Sequence, residues 1–171
     1  GSEATRCYDI EESGLPSGKS IYFTIKAYDD NGNYTTMELP TNVVDIPHYV
    51  PPQKPSNLTV QNEQGDQYAY DEVPSFSVKD TANVYWAVEK GVGSQFDIRY
   101  IQYKVDEGEW NTIDPSQMLE PESPIAQNGF AVPLRDLEEG THTISIRAID
   151  TNSANQLSGP ERSIQVVRDV T

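Results

Sequence analysis

Residues Ser20 to Tyr28 read SIYFTIKAY, and along them Ile21, Phe23, Ile25 and Ala27 alternate with Tyr22, Thr24, Lys26 and Tyr28. A period of two sends successive side chains to opposite faces, so the run predicts a strand with its apolar set turned inward. Asp29-Asp30-Asn31-Gly32-Asn33 follows, and Asn-Gly between β-rich segments favours a tight hairpin because both residues accept positive φ. The return strand is expected over about Asn33 to Glu38. Short β-rich runs then recur at Asn57 to Gln61, Phe76 to Val78, Asn83 to Val88, Asp97 to Val105, Trp110 to Ile113, Phe130 to Leu134, His142 to Ile149 and Ser163 to Val167. Asp106-Glu107-Gly108-Glu109 reads as a hairpin and Asn128-Gly129 as a turn just before Phe130. Along Asn83 to Val88, Val84, Trp86 and Val88 share one face and Tyr85 and Ala87 the other. Trp86 is therefore expected in the core, and Tyr85 toward solvent or the sheet rim. No stretch keeps a 3.6-residue apolar period, so little helix is expected. Short strands with turns between them predict an all-β fold of antiparallel β-sandwich modules.

Two observations divide the chain. Pro47-His48-Tyr49-Val50-Pro51-Pro52-Gln53-Lys54-Pro55 is rich in proline, which removes ladder donors and favours extended backbone, so residues 47–55 read as a linker between modules at 1–46 and 56–171. An internal repeat agrees: Leu15-Pro16-Ser17-Gly18 followed by IYFTIKAYD matches Leu137-Glu138-Glu139-Gly140 followed by HTISIRAID, with one inserted residue. In the first copy this signal begins close to the start of the sequence, so the first module is expected to lack most of its N-terminal strands. Its apolar face, Ile21, Phe23, Ile25 and Ala27, then needs a cover: the missing half, a strand-exchanging copy, or the second module. Gly1-Ser2 reads as an expression scar, with any signal peptide or anchor elsewhere in a longer parent.

Composition narrows the partners. With 27 acidic against 12 basic residues the net charge is -15, which repels a phosphate backbone and an anionic membrane. Nucleic acid and membrane insertion are excluded on that ground and by the lack of a long apolar run. The charge suits a solvated, aggregation-resistant surface outside cells. One cysteine, Cys7, rules out an intrachain disulfide and a multi-cysteine zinc site. Ten tyrosines against four phenylalanines suit half-wet pleated surfaces.

Candidate chemistry is sparse. Nucleophilic or general-base catalysis needs a positioned base, and only His48 and His142 are present, one in the proline segment and the other opening a strand. Catalytic, cofactor and metal residues are therefore expected to be none, and the chain is read as a non-enzyme. Asp29, Asp30, Asn31 and Asn33 resemble the start of a calcium loop without its closing bidentate glutamate, so a hairpin turn accounts for them. Asn33-Tyr34-Thr35 and Asn57-Leu58-Thr59 are glycosylation sequons. Tyr68, Tyr70, Tyr85 and Trp110 are the candidate ligand-facing aromatics, set against the alternative that strand aromatics pack across a sheet.

Residues 14–35, GLPSGKSIYFTIKAYDDNGNYT, resemble the C-terminal half of a bacterial fibronectin type III module: a Leu-Pro-x-Gly turn, a strand, and an Asp-x-x-Gly-Asn hairpin. Ile21 stands where such modules carry a corner tyrosine, which puts that hydrogen bond in doubt. Tyr103-Lys104-Val105-Asp106-Glu107-Gly108-Glu109-Trp110 and LEEGTHTISIRAID resemble bacterial immunoglobulin-like domains. The resemblance implies tandem immunoglobulin-like and fibronectin type III-like sandwiches, the kind used as spacers, adhesion units or accessory modules. The expected function is a non-catalytic structural or adhesive module pair of a secreted or cell-surface protein, with a protein or polysaccharide partner and self-association through the truncated first module. The alternative is a carbohydrate-binding accessory region of an extracellular polysaccharide-degrading enzyme.

Overall fold

The computed structural model describes the backbone of residues 20–45, 50–152 and 157–171, and the side chains of residues 26–36, 50–152 and 157–171. Cys7, His48, the 15–18 copy of the repeat and the side chains of Ile21, Phe23 and Ile25 lie outside them. The chain divides into two compact units, residues 1–49 and 50–171.

In the first unit β1 (Ser20–Tyr28) pairs antiparallel with β2 (Tyr34–Asp45). The turn between them has Gly32 at φ 83°, which only glycine adopts freely, and closes with Asp29 N donating to Asn33 O at 2.9 Å. β2 is longer than the Asn33 to Glu38 expected from sequence. Its register slips between Tyr22 and Thr24, opposite the stretch holding Pro40. A proline has no N–H for the ladder, and a bulge removes the need for one.

The second unit is an antiparallel β-sandwich. One sheet holds β3 (Asn57–Gln61), β4 (Gln67–Ala69), β6 (Thr81–Ala87) and β9 (Gln127–Pro133) in the order β4-β3-β6-β9. The other holds β5 (Ser77–Val78), β7 (Ile98–Val105), β8 (Asn111–Thr112), β10 (Gly140–Asp150) and β11 (Arg162–Arg168) in the order β5-β11-β10-β7-β8. Only the short β5 runs parallel to its neighbour, β11. Alternation does the sorting. Leu58, Val60, Val84, Val132, Ile144, Ile146, Ile164 and Val166 are wholly or almost wholly buried between the sheets, and their strand neighbours face outward.

Trp86 is 3% exposed and Tyr85 half-exposed on the opposite face, as the alternation predicts. Trp86 Nε1 donates to Ile125 O at 2.7 Å, which satisfies the one polar atom of the ring in the core. Asn128-Gly129, expected as a turn, instead lies inside β9, where Asn128 pairs with Trp86 and Gly129 with Tyr85. β4 is a strand the sequence did not suggest; it is three residues long and turns only Tyr68 inward.

The described part of the proline segment belongs to the second unit. Pro52 and Pro55 are buried, Gln53 N donates to Glu89 O at 2.9 Å, and Arg162 Nε donates to Pro55 O. Glycines make room for it: a Cβ on Gly159 would stand 2.4 Å from Pro52 O, and one on Gly91 2.6 Å from Pro51 O.

Candidate functional site

The aromatics singled out from sequence meet four different fates. Tyr68 is not ligand-facing: it is 3% exposed, its hydroxyl donates to Gln165 O at 2.9 Å, and burial pushes its pKa up to about 12. It ties one sheet to the other. Tyr70 is half-buried against the core, and the Arg162 guanidinium sits 4.0 Å from its ring centre. Trp110 is half-buried under two cations, Arg147 at 4.1 Å and Lys104 at 5.1 Å from the ring centre. Arg147 is further held by donating to Gln102 Oε1 at 2.8 Å, and desolvation lowers its pKa. Lys104 faces Glu161 at 3.5 Å. The outer face of the five-stranded sheet is therefore a cross-linked layer of paired charges around a covered tryptophan.

Tyr85 differs. A Cβ on Gly129 would meet Tyr85 Cδ1 at 2.6 Å and Cε1 at 2.7 Å, so the ring occupies the space that any other residue at 129 would fill. It lies across β9 on the outer face of the four-stranded sheet. Burial and the neighbouring Glu120 raise the pKa of its hydroxyl, so it stays a neutral phenol. The register builds rows around it. Gln67, Gln61, Asn83 and Ala131 form one, Ala69, Thr59, Tyr85 and Gly129 the next, and Asn57, Ala87 and Gln127 the third, with Thr81 beside Pro133 at the end. None of these residues is charged, in a chain where 23% of residues are. A cleft of about 520 Å³ opens at the Gln61 and Asn83 end, between the β3–β4 and β5–β6 turns.

Other titratable groups hold turns. His142 Nδ1 lies 2.8 Å from Asp106 Oδ2 and Nε2 lies 2.8 Å from Glu138 O, so both ring nitrogens face acceptors. The Asp106 hydrogen bond, then the Glu138 carbonyl, raises the pKa of His142, and the hydrogen bonds from His142 and then Thr143 N lower that of Asp106. Asp106 sits at φ 52° in the β7–β8 hairpin and also accepts from Thr143 N at 2.9 Å, so this pair clamps the turn onto β10. In the first unit Asp29 Oδ1 accepts from the Asn31 and Asn33 N–H groups, and Oδ2 from Asn33 Nδ2, each at 2.9 Å. These bonds lower its pKa and occupy both oxygens that a calcium ion would take. The same Nδ2 is the acceptor atom of the Asn33 sequon, and Asn57 of the other is exposed at the start of β3.

Among the described residues no group of three or more His, Cys, Asp or Glu is placed to hold a metal ion, and no helix is long and apolar enough to cross a membrane. Sequence reasoning named Tyr85 but missed Gln61, Gln67, Asn83 and Gly129, whose shared face exists only once the strands are in register. Compared with protein family models, curated proteins and solved structures, the chain matches none.

Proposed function

We propose that the chain is a non-catalytic structural or adhesive module pair of a secreted or cell-surface multidomain protein, acting by spacing and presentation. The observation that carries this reading is where the reactive side chains are spent. The imidazole of His142 is taken by Asp106 and a carbonyl, and Asp29 and Asp114 are bonded to their own turns. Catalysis needs such groups aimed together into a cavity, and here each supports a loop. The division of strands supports the immunoglobulin-like and fibronectin type III-like part of the reading. β3, β6 and β9 share one sheet and β7, β10 and β11 the other, which parallels the separation of the first, second and fifth strands from the third, sixth and seventh in such sandwiches. The net charge of -15 supports a place outside the cell, where repulsion keeps extended proteins apart.

The test has two arms. Incubated with a panel of polysaccharides, esters and peptides, the full chain is expected to leave every substrate unchanged. Stretched between its ends in a single-molecule trap, the second unit is expected to unfold in one step, releasing on the order of 400 Å of chain at roughly 3.5 Å per residue. Turnover that survives repurification and vanishes on heat denaturation would overturn the non-catalytic reading. Gradual extension without a step would overturn the spacer reading.

A further inference from the structure

We propose that the outer face of the four-stranded sheet is a binding surface for an uncharged polysaccharide chain, with Tyr85 as its stacking platform; this rests on the adhesive reading above and names its ligand class. Two observations converge on one face. Its rows carry the side-chain amides of Asn57, Gln61, Gln67, Asn83 and Gln127, and none of these amides is hydrogen-bonded within the protein among the described residues. Each amide offers donors and an acceptor side by side, which matches the paired hydroxyls of a sugar ring. Tyr85 lies over Gly129, with the ring set against the sheet rather than standing out from it. The glycine is what permits that pose, and a ring laid on a sheet turns its other face outward, where the C–H face of a pyranose can pack.

Charge decides the class of ligand. The strand residues of the face are neutral, and exposed acids stand around it, Asp66 before β4, Glu89 after β6 and Glu120 beside Tyr85, whereas Asp80 before β6 is paired with Arg135 at 3.6 Å and Arg168 at 4.0 Å. A polyanion approaching the amides meets the acids of that rim, and none of the strand residues in the rows carries a cation to offset the repulsion, Lys79 lying beyond them in the cleft. A neutral polyhydroxyl chain has nothing to lose to the rim and finds hydrogen-bond partners along a flat track. The cleft of about 520 Å³ at the Gln61 and Asn83 end extends beyond the sheet and mixes amides with the charges of Glu63, Lys79 and Asp80, so the neutral track itself ends at Gln61 and Asn83. Trp110, on the opposite sheet, is the internal control, because Arg147 and Lys104 already take its ring.

Affinity electrophoresis of the full chain in gels containing mixed-linkage β-glucan, xyloglucan, galactomannan or soluble starch, with polygalacturonate as the anionic control, tests this. The native chain is expected to be retarded in at least one neutral gel and not by polygalacturonate. Tyr85→Ala is expected to abolish the retardation and Tyr85→Phe to keep it. Gln61→Ala combined with Asn83→Ala removes two half-buried amides of the outer face without touching the core and is expected to abolish it too, while Trp110→Ala leaves it intact. Melting curves on every variant separate loss of binding from loss of fold. The proposal is overturned if no neutral gel retards the native chain, if Tyr85→Ala migrates like the native chain, or if Trp110→Ala removes the retardation. It is also overturned if light scattering finds a concentration-dependent dimer that Tyr85→Ala dissolves, because the face then belongs to a second copy. None of these outcomes touches the non-catalytic reading, which fails only on turnover.

Discussion

Replacing Asn128 by alanine removes four hydrogen bonds from a side chain that is 4% exposed. Its Oδ1 accepts from Glu120 N at 2.9 Å and Gly129 N at 2.8 Å, and its Nδ2 donates to Glu120 O at 2.7 Å and Ser123 O at 3.2 Å. Together they fasten the connection before β9 over Trp86, whose Nε1 bonds Ile125 O in the same connection. A neutral hydrogen bond contributes about 1 kcal/mol net, and a buried group left unpaired costs about 1 to 3 kcal/mol. Glu120 and Ser123 are exposed and can turn to water, whereas Gly129 N is buried. Asn128→Ala is therefore expected to cost about 2 to 4 kcal/mol.

Asn128→Asp sharpens the test, since it keeps the shape and exchanges the donor for an oxygen facing two carbonyls. Burial and those carbonyls raise the folded pKa of the new carboxyl above the unfolded value of about 3.9. The folded state then binds more protons, so the variant gains stability as pH falls through the raised pKa and loses it as pH rises. Urea denaturation at pH 7 and pH 4.5, followed by tryptophan fluorescence, measures both effects. An alanine variant within about 0.5 kcal/mol of the native chain, or an aspartate variant whose deficit relative to native is the same at both pH values, refutes the reasoning, because exposed loop substitutions behave that way.

Trp86→Ala is expected to cost roughly 3 to 5 kcal/mol in the same assay, because it empties a large aromatic site in the core; a loss under about 1 kcal/mol would contradict the packing. The raised pKa of His142 means its contribution is complete below its unfolded pKa of about 6.5 and is lost as pH rises through the folded value. His142→Gln should accordingly flatten the fall in stability above neutrality, and an unchanged slope would remove His142 from the account. Calcium at millimolar concentration is expected to leave the melting temperature unchanged, since the Asp29 oxygens are engaged by their own turn; a saturable rise lost in Asp29→Asn would defeat that reading.

What sequence alternation reveals is local pairing of faces within a strand, and it was enough for the long strands of the second unit, whereas in β2 (Tyr34–Asp45) it stopped at Glu38, before Pro40 and the register slip. Thr81 to Ala87 and Gly140 to Asp150 carry several inward apolar residues each, and the expected runs fall within them but for a residue at one end. β4 has one inward residue, too few to establish a period, so Tyr68 could not be assigned to the core beforehand. Asn128-Gly129 carries the chemistry of a turn but answers to tertiary demands, the amide clamping a loop and the glycine receiving the Tyr85 ring. The fate of Trp110 depends on Arg147, brought alongside only when β10 pairs with β7. The neutral face needs four strands in register and is invisible to any window along the chain.

The two outer faces of the second unit pose a physical contrast that composition conceals. On the five-stranded sheet, Lys104 with Glu161 and Arg147 with Trp110 spend charge on fixing the surface. On the four-stranded sheet no charge is present, although β4 and β9 are both edge strands there. A flat neutral face between open edges invites pairing with another chain, and proteins ordinarily blunt it with charged residues. Here the blunting is displaced to the rim and to the net charge of -15, which act through solvent over a Debye length of about 8 Å at physiological ionic strength. Repulsion of that kind keeps like molecules apart while leaving the face open to an uncharged ligand, which a charged face would not do as freely. It also weakens with salt, whereas amide and stacking contacts to a neutral chain do not. Raising ionic strength should therefore leave glycan retardation unchanged while promoting any association between copies of the protein, so the salt dependence of each separates the intended occupant of the face from the one its charge holds off.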